Sequence, residues 1–92
     1  MLRLQMLSQS EGERRRRQGA LLLDVRTPEE FRAGHLPGSR LLPLGSIPGQ
    51  ICSIAPDRRQ ELLLYCSRGE RSRAAAQVLA SMGYLRVYVL RP

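Results

Sequence analysis

Leu62-Leu63-Leu64-Tyr65-Cys66-Ser67-Arg68-Gly69-Glu70-Arg71-Ser72 is the stretch from which the rest of the chain can be read. It opens with an apolar run of strand length, places a cysteine where that run ends, and continues as a short polar loop. Beyond it Ala75, Val78, Leu79 and Met82 recur at i, i+3, i+4, i+7, the spacing of one helix face. The reading is strand, cysteine loop, then helix over 72–82. Backbone N–H groups at a helix N-terminus are unpaired, and the helix dipole adds partial positive charge there, so such a place favours an anion. A thiolate is an anion, and Arg68 and Arg71 add full charges beside it. A free thiol titrates near about 8.5; this setting predicts a lower value for Cys66 and makes it a candidate nucleophile. The plainer alternative is a small apolar cysteine packed at a strand end. Two arginines and a glycine in the loop are not what packing alone requires.

Working outward, Ala20-Leu21-Leu22-Leu23 is a second continuous apolar run, followed by Asp24-Val25-Arg26. It suits a strand buried on both faces, as in a parallel sheet. Thr27-Pro28-Glu29-Glu30 is a helix start, with Thr27 as N-cap, Pro28 at the first helical position and Glu30 closing a capping box. Phe31 is expected to pack inward, and Gly34 to end this short helix. His35 to Ser39 reads as a turn and Arg40-Leu41-Leu42 as a short strand. Ile47, Ile51 and Ile54 fall at helical spacing, although Pro48 and Gly49 weaken that helix. After a turn at 56–59, the central strand spans 61–65. Gly83 is the expected left-handed residue after the long helix, and 86–90 a last strand.

The N-terminal part is different in kind. Residues 2–7 fit either a first strand or a helical start. In residues 8–19, Ser10 and Glu13 have capping-box spacing, and Gly19 is placed to stop a helix. Yet the segment has no apolar face, because Arg14 to Arg17 surround such a helix rather than stripe it. A solvated polar helix or loop is the preferred reading over a binding patch. The chain thus divides into a polar, Arg-rich segment 1–19, holding at most a first strand and helix, and a domain 20–92. Apolar strands alternating with helices imply a parallel α/β sheet of four to five strands with helices on both faces. Such sheets bind ligands at the carboxyl ends of their strands, where Cys66 lies.

Composition narrows the function classes. The 92 residues include 15 basic and 8 acidic ones, a net charge of +7, and every basic residue is arginine. The basic balance alone would allow nucleic-acid or phosphate binding. Aromatic content of only 4% leaves no base-stacking platform, so nucleic acid is not an expected partner. Two cysteines, Cys52 and Cys66, are too few for a disulfide framework, and with His35 as the single histidine no metal site is expected. A reducing, cytoplasmic location fits best. No apolar run approaches the roughly 20 residues of a membrane-spanning helix, so no membrane association is expected.

Three motifs together carry a resemblance. Leu23-Asp24-Val25-Arg26-Thr27-Pro28-Glu29-Glu30-Phe31, Gly34-His35-Leu36-Pro37-Gly38-Ser39, and Tyr65-Cys66 through Ser72 are similar to the single-domain rhodanese (sulfurtransferase) family, over about residues 20–90. The resemblance implies a rhodanese-like α/β fold and a loop cysteine that carries sulfane sulfur as a persulfide. Thiosulfate or a persulfide would give its outer sulfur to Cys66, and cyanide or a thiol, thioredoxin or glutathione among them, would take it. It implies that the N–H groups of Ser67, Arg68, Gly69, Glu70, Arg71 and Ser72 cradle the sulfur, and that Arg71 holds the anionic donor. It implies no cofactor. Related phosphatases and arsenate reductases place the arginine at Cys-x5-Arg. Here the spacing is Cys-x4-Arg, with Ser72 at the next position, which favours sulfur transfer over phosphate hydrolysis.

Other residues take structural readings. Asp24 is expected to bond loop N–H groups, Arg26 to pair with Glu29 or Glu30, His35 to bond backbone and Cys52 to fill core. Ser72 is expected to cap the helix and to reach the Cys66 sulfur. Three features depart from the family. Glu70 puts negative charge in the loop, which disfavours a thiosulfate dianion unless the carboxylate points away or pairs with Arg68. The usual Gly-Gly turn and Trp-containing helix do not follow the last strand, so the C-terminal helix is expected to be missing. One sheet face would then be poorly covered, favouring a homodimer or lower stability. The first helix lacks the family's apolar positions, so residues 1–19 are expected to be rearranged. The competing reading is a rhodanese-like binding or regulatory module in which Cys66 turns over little.

Overall fold

A computed structural model describes residues 4–92; residues 2 and 3 of the expected first segment lie outside the described residues. The chain runs β1 (Gln5–Leu7), α1 (Gln9–Arg17), β2 (Leu21–Asp24), α2 (Pro28–Ala33), β3 (Arg40–Leu41), α3 (Ile47–Ile54), β4 (Leu62–Tyr65), α4 (Glu70–Ser81) and β5 (Val87–Leu90), with a 3₁₀ turn at Leu44–Ser46 leading into α3. All strand pairs are parallel, in the order β1-β5-β4-β2-β3. The two leucine runs lie side by side at the centre, Leu21 opposite Leu62 through Asp24 opposite Tyr65. Burial on both faces is what made them continuous rather than alternating. Residues 5–7 therefore resolve as a strand, which pairs with β5.

The strand period of two sorts the core. Leu23, Val25, Leu62, Leu64, Cys66 and Val89 face one side, where Ile47 and Ile51 of α3 and Ala75, Ala76 and Leu79 of α4 cover them. Leu22, Leu63 and Leu90 face the other, with Ala20 and the partly buried Leu7, Leu36, Tyr65 and Tyr88. Cys66 thus continues the alternation that points Leu62 and Leu64 towards α4.

The second face is not left open as expected. Leu22, Leu63 and Leu90 are 4% exposed or less, and Leu85 is the one exposed large hydrophobic residue among those described. Among the described residues no large apolar patch stands exposed on this face, although Leu22, Leu36, Pro37 and Leu90 line a cavity of about 440 Å³ beside α1. The covering element is α1, although it has no apolar stripe. Gly12 is buried and lets the helix backbone come close to Leu90. Arg15 lies over the Tyr88 ring, 4.6 Å from its centroid, and bonds Glu61 at 3.1 Å. Its stem covers apolar surface while its head stays wet. Arg14 and Arg15 pair with Glu11, and Arg16 and Arg17 with Glu13, at 2.6–3.1 Å. The arginine run is thus a structural lattice at i, i+3 and i, i+4 spacing. These pairs hold Glu11 and Glu13 down to about 2, Arg14 acting most on Glu11 and Arg16 on Glu13. The cap is Ser8, which accepts from the Glu11 N–H at 3.1 Å, and not Ser10. The helix begins two residues earlier than the capping-box spacing suggested, so that Glu11 and Glu13 are free to face arginines.

The α2 start is as read. Thr27 and Glu30 form both halves of a capping box and Pro28 is in the first turn. Phe31 differs: it is half-buried and stacks on His35, ring centroids 3.6 Å apart, because α2 buries no residue in the core. His35 Nδ1 lies 2.8 Å from the Phe31 carbonyl, a backbone contact as expected. Cys52 is not core filler. It is exposed on α3, whose buried positions are Ile47 and Ile51, and Arg58 approaches its sulfur at 3.6 Å.

Candidate active site

In the strand order, the chain leaves β2 towards β3 on one side and β4 towards β5 on the other. The loops after β2 and β4 therefore diverge at their carboxyl ends and open a crevice, the position where such sheets hold ligands. β2 ends on Asp24, and the loop after it carries Arg26 and the start of α2. The loop after β4 carries Cys66.

The cysteine loop is tight. Gly69 has φ +88°, a left-handed conformation that a side chain would strain. That turn points its N–H back at the sulfur, 2.9 Å from Cys66 Sγ, and the Ser72 N–H follows at 3.4 Å. The helix begins at Glu70, earlier than the 72–82 expected, with Gly69 in the cap position. Ser72 is therefore two residues inside the helix and is not its N-cap. The turn at Gly69 does the work of starting the helix, which frees Ser72 to face inward. Ser72 is fully buried, and its Oγ has no partner with sound hydrogen-bond geometry.

Cys66 is 1% exposed, yet it lines a cavity of about 410 Å³ with Glu30, Ser67, Arg68, Glu70 and Arg71. Burial is the largest single influence on the thiol and pushes its pKa up. The Ser72 hydroxyl and the N–H groups of Ser72, Arg68 and Gly69 favour the thiolate and together outweigh burial, so the pKa lies below its ordinary value. The hydroxyl lies near enough to act on the sulfur electrostatically without a well-aligned hydrogen bond to the thiol. The cradle expected over 67–72 is thus concentrated at Gly69 and Ser72, with Arg68 contributing.

Arg71 is not free. Its two terminal nitrogens bond the two carboxylate oxygens of Glu30 at 2.6 and 2.9 Å, and Nη2 lies 3.4 Å from Ser67 Oγ. Glu30 meanwhile accepts from the Thr27 N–H at 3.1 Å. One carboxylate therefore joins the start of α2 to the cysteine loop. Its pKa is lowered to about 2, chiefly by Arg71 and then by the Thr27 backbone. Sequence reasoning placed Glu30 as a capping residue and a possible partner of Arg26, not as a partner of Arg71. The available signal was geometric: α2 starts from the loop beside the cysteine loop. Glu70 is exposed at the cavity mouth and makes no ion pair with Arg68 among the described residues.

Arg26 pairs with Asp24, not with Glu29 or Glu30. Asp24 is fully buried and accepts from Arg26 Nη2 at 2.8 Å, from Nε at 3.0 Å and from the Arg26 N–H at 3.0 Å. Arg26 also donates to the Gly34 carbonyl at 2.7 Å and lies over Tyr65. The N–H bond is of the kind expected for Asp24; the guanidinium is the larger partner, because two residues separate the groups and the loop curls back. This pair fixes the β2 loop against β4.

The comparisons with known proteins agree with this geometry. The rhodanese-like domain family matches residues 8–91. A thiosulfate sulfurtransferase of Escherichia coli is 34% identical over 65 residues, 71% of this chain and 62% of that protein. A sulfurtransferase of Allochromatium vinosum is 41% identical over 71 residues, 77% of this chain and 64% of that protein. The chain thus spans somewhat less than two thirds of the length of these two relatives. Among solved structures, a thiosulfate sulfurtransferase from Pseudomonas aeruginosa superposes with a TM-score of 0.86 at 37% identity, covering 97% of this chain and 17% of that one. A rhodanese from E. coli solved with anions gives 0.70 at 30% identity, covering 78% and 82%. A parallel sheet with a cysteine cradled after its central strand, matched by a family profile over nearly its whole length, belongs to the rhodanese-like domain family.

Proposed function

We propose that this chain transfers sulfane sulfur through a persulfide on Cys66. The observation that carries the reading is the sulfur itself: buried, yet lining an open cavity, and held by two N–H groups that favour its anion. The Cys66 thiolate attacks the outer sulfur of a donor. The donor's S–S bond breaks, and the leaving group departs with the electron pair, as sulfite from thiosulfate or as a thiolate from a persulfide. The Cys66–S–S bond forms in its place. An acceptor, cyanide or a thiol such as glutathione or a thioredoxin cysteine, then attacks the outer sulfur and releases the Cys66 thiolate. The Gly69 and Ser72 N–H groups aim at the charge in both steps, so the chain contributes covalent catalysis with pre-aimed donors. The Cys-x4-Arg spacing and a loop closed at Gly69 support sulfur transfer over phosphate hydrolysis.

The test is intact mass after incubation with thiosulfate and, separately, with glutathione persulfide, for wild type and Cys66→Ser. A gain of one sulfur, reversed by cyanide and absent from the variant, is expected with at least one donor. No gain from either, in a folded protein, overturns the reading and leaves a binding module.

A further inference from the structure

We infer that Glu30 sets donor choice: by holding both terminal nitrogens of Arg71, it disfavours donors whose outer sulfur is joined to an oxyanion, as in thiosulfate, relative to persulfides. This rests on the sulfur-transfer reading above and deepens it.

The cavity is lined by two cations, Arg68 and Arg71, and two carboxylates, Glu30 and Glu70. Their formal charges cancel, and the Cys66 thiolate adds one negative charge. A dianion entering this cavity meets no net attraction. Arg71 is the cation best placed to receive a sulfonate, since it lies beside Ser67 with a planar fork that suits oxyanions. Both of its terminal nitrogens are already on Glu30, at 2.6 and 2.9 Å. A sulfonate must either displace a carboxylate of matching geometry or settle for the separate N–H donors that Glu30 and Ser67 leave, without the end-on fork. That carboxylate is itself tied to α2 through the Thr27 N–H at 3.1 Å, so it does not swing away without loosening the helix start. A persulfide, R–S–SH, has no oxyanion on the transferring sulfur and needs no such displacement. It gives its outer sulfur to Cys66 and leaves as a thiolate, with the Glu30–Arg71 pair intact.

The test is the ratio of kcat/KM for thiosulfate to that for glutathione persulfide, with one common acceptor, in wild type and in Glu30→Gln. Glutamine is isosteric and serves at this capping position, so α2 keeps its start. It removes the charge that balances Arg71. The ratio is expected to rise about tenfold, mostly through a lower KM for thiosulfate, as follows from freeing a unit charge a few ångströms from a dianion. The rise should diminish at high salt. Thr27→Ala removes the capping hydroxyl but keeps the carboxylate and the backbone N–H that holds it, and its ratio is expected to match wild type. If Glu30→Gln does not fold, Glu30→Asp, whose shorter side chain withdraws from Arg71, is read the same way. An unchanged or lower ratio overturns the proposal, as does an equal rise in Thr27→Ala. A wild type that takes sulfur from neither donor instead overturns the sulfur-transfer reading, and this one with it.

Discussion

Gly12 of α1 sits directly on Leu90 of β5: a Cβ built on Gly12 would lie 2.6 Å from Leu90 Cδ2 and 3.0 Å from Cδ1. Leu90 is 1% exposed, and its methyl groups can shift only towards the cavity it lines with Leu22, Leu36 and Pro37. This contact explains how a helix without an apolar stripe docks on a sheet. The expected outcome for Gly12→Ala therefore runs against helix propensity. Alanine gains about 0.5–1 kcal/mol as a helix former. Overpacking against a fixed core costs about 1–3 kcal/mol. The variant should lose stability by about 1 kcal/mol, read as a lower urea midpoint with an unchanged slope. A midpoint at or above wild type would show that Leu90 can yield.

Asp24 and Arg26 should behave as a coupled pair. Asp24 is wholly buried and the Arg26 side chain is 11% exposed. Removing either leaves a charge in a place that water barely reaches, which costs about 3–5 kcal/mol. Asp24→Ala and Arg26→Ala are each expected to fall in that range. The double variant should cost clearly less than their sum, because the second truncation removes the orphaned charge. Chemical denaturation of all four proteins closes the cycle. Additive losses would mean that the two groups act independently.

Much of the architecture was legible because its signals are local. The leucine runs at 21–23 and 62–64, the Thr27-Pro28-Glu30 cap and the cysteine after a strand each depend on neighbours in sequence. Some errors come from contacts made across the chain, and others from a near neighbour that took the role first. Cys52 looked like core because its helix is apolar, but only one side of α3 meets the sheet, and that side belongs to Ile47 and Ile51. Ser72 looked like a cap because serine favours that role, but Gly69 turned the chain first. The polar α1 offered no stripe to read, since its docking depends on a missing side chain at Gly12 and on the stem of Arg15. Glu30 was read from its near neighbours, as a cap and a partner of Arg26, whereas the arginine it holds, Arg71, lies 41 residues away.

The Glu30–Arg71 pair also gives a pH signature in stability. The Glu30 pKa is lowered from 4.5 to about 2, chiefly by Arg71. A carboxyl depressed by folding contributes stability that is present above its unfolded value and is lost as pH falls through its folded value. The stability gap between wild type and Glu30→Gln should therefore be constant above about pH 5 and should narrow between pH 4.5 and 3. Urea midpoints across that range measure it. A gap that does not change down to pH 3 would place the carboxylate's contribution elsewhere than in its charge.

The thiol of Cys66 provides the last prediction, and Cys52 must first be silenced, because it is exposed and would alkylate as well. In a Cys52→Ser background, the iodoacetamide rate at Cys66 should follow thiolate fraction, with a midpoint below the roughly 8.5 of a free thiol. Three influences are separable. Burial acts against the thiolate, while the N–H groups of Gly69 and Ser72 and the Ser72 hydroxyl act for it. Ser72→Ala keeps the N–H at 3.4 Å and removes only the hydroxyl, so its midpoint should rise. The sign carries over to folding. Because the folded pKa is the lower one, ionisation of Cys66 contributes stability above the unfolded thiol value. That contribution is lost as pH falls through the folded value, and Ser72→Ala should shrink it. A midpoint in Ser72→Ala equal to that of its parent would assign the lowering to the backbone of the turn alone, and the buried hydroxyl of Ser72 would then have no part in holding the anion.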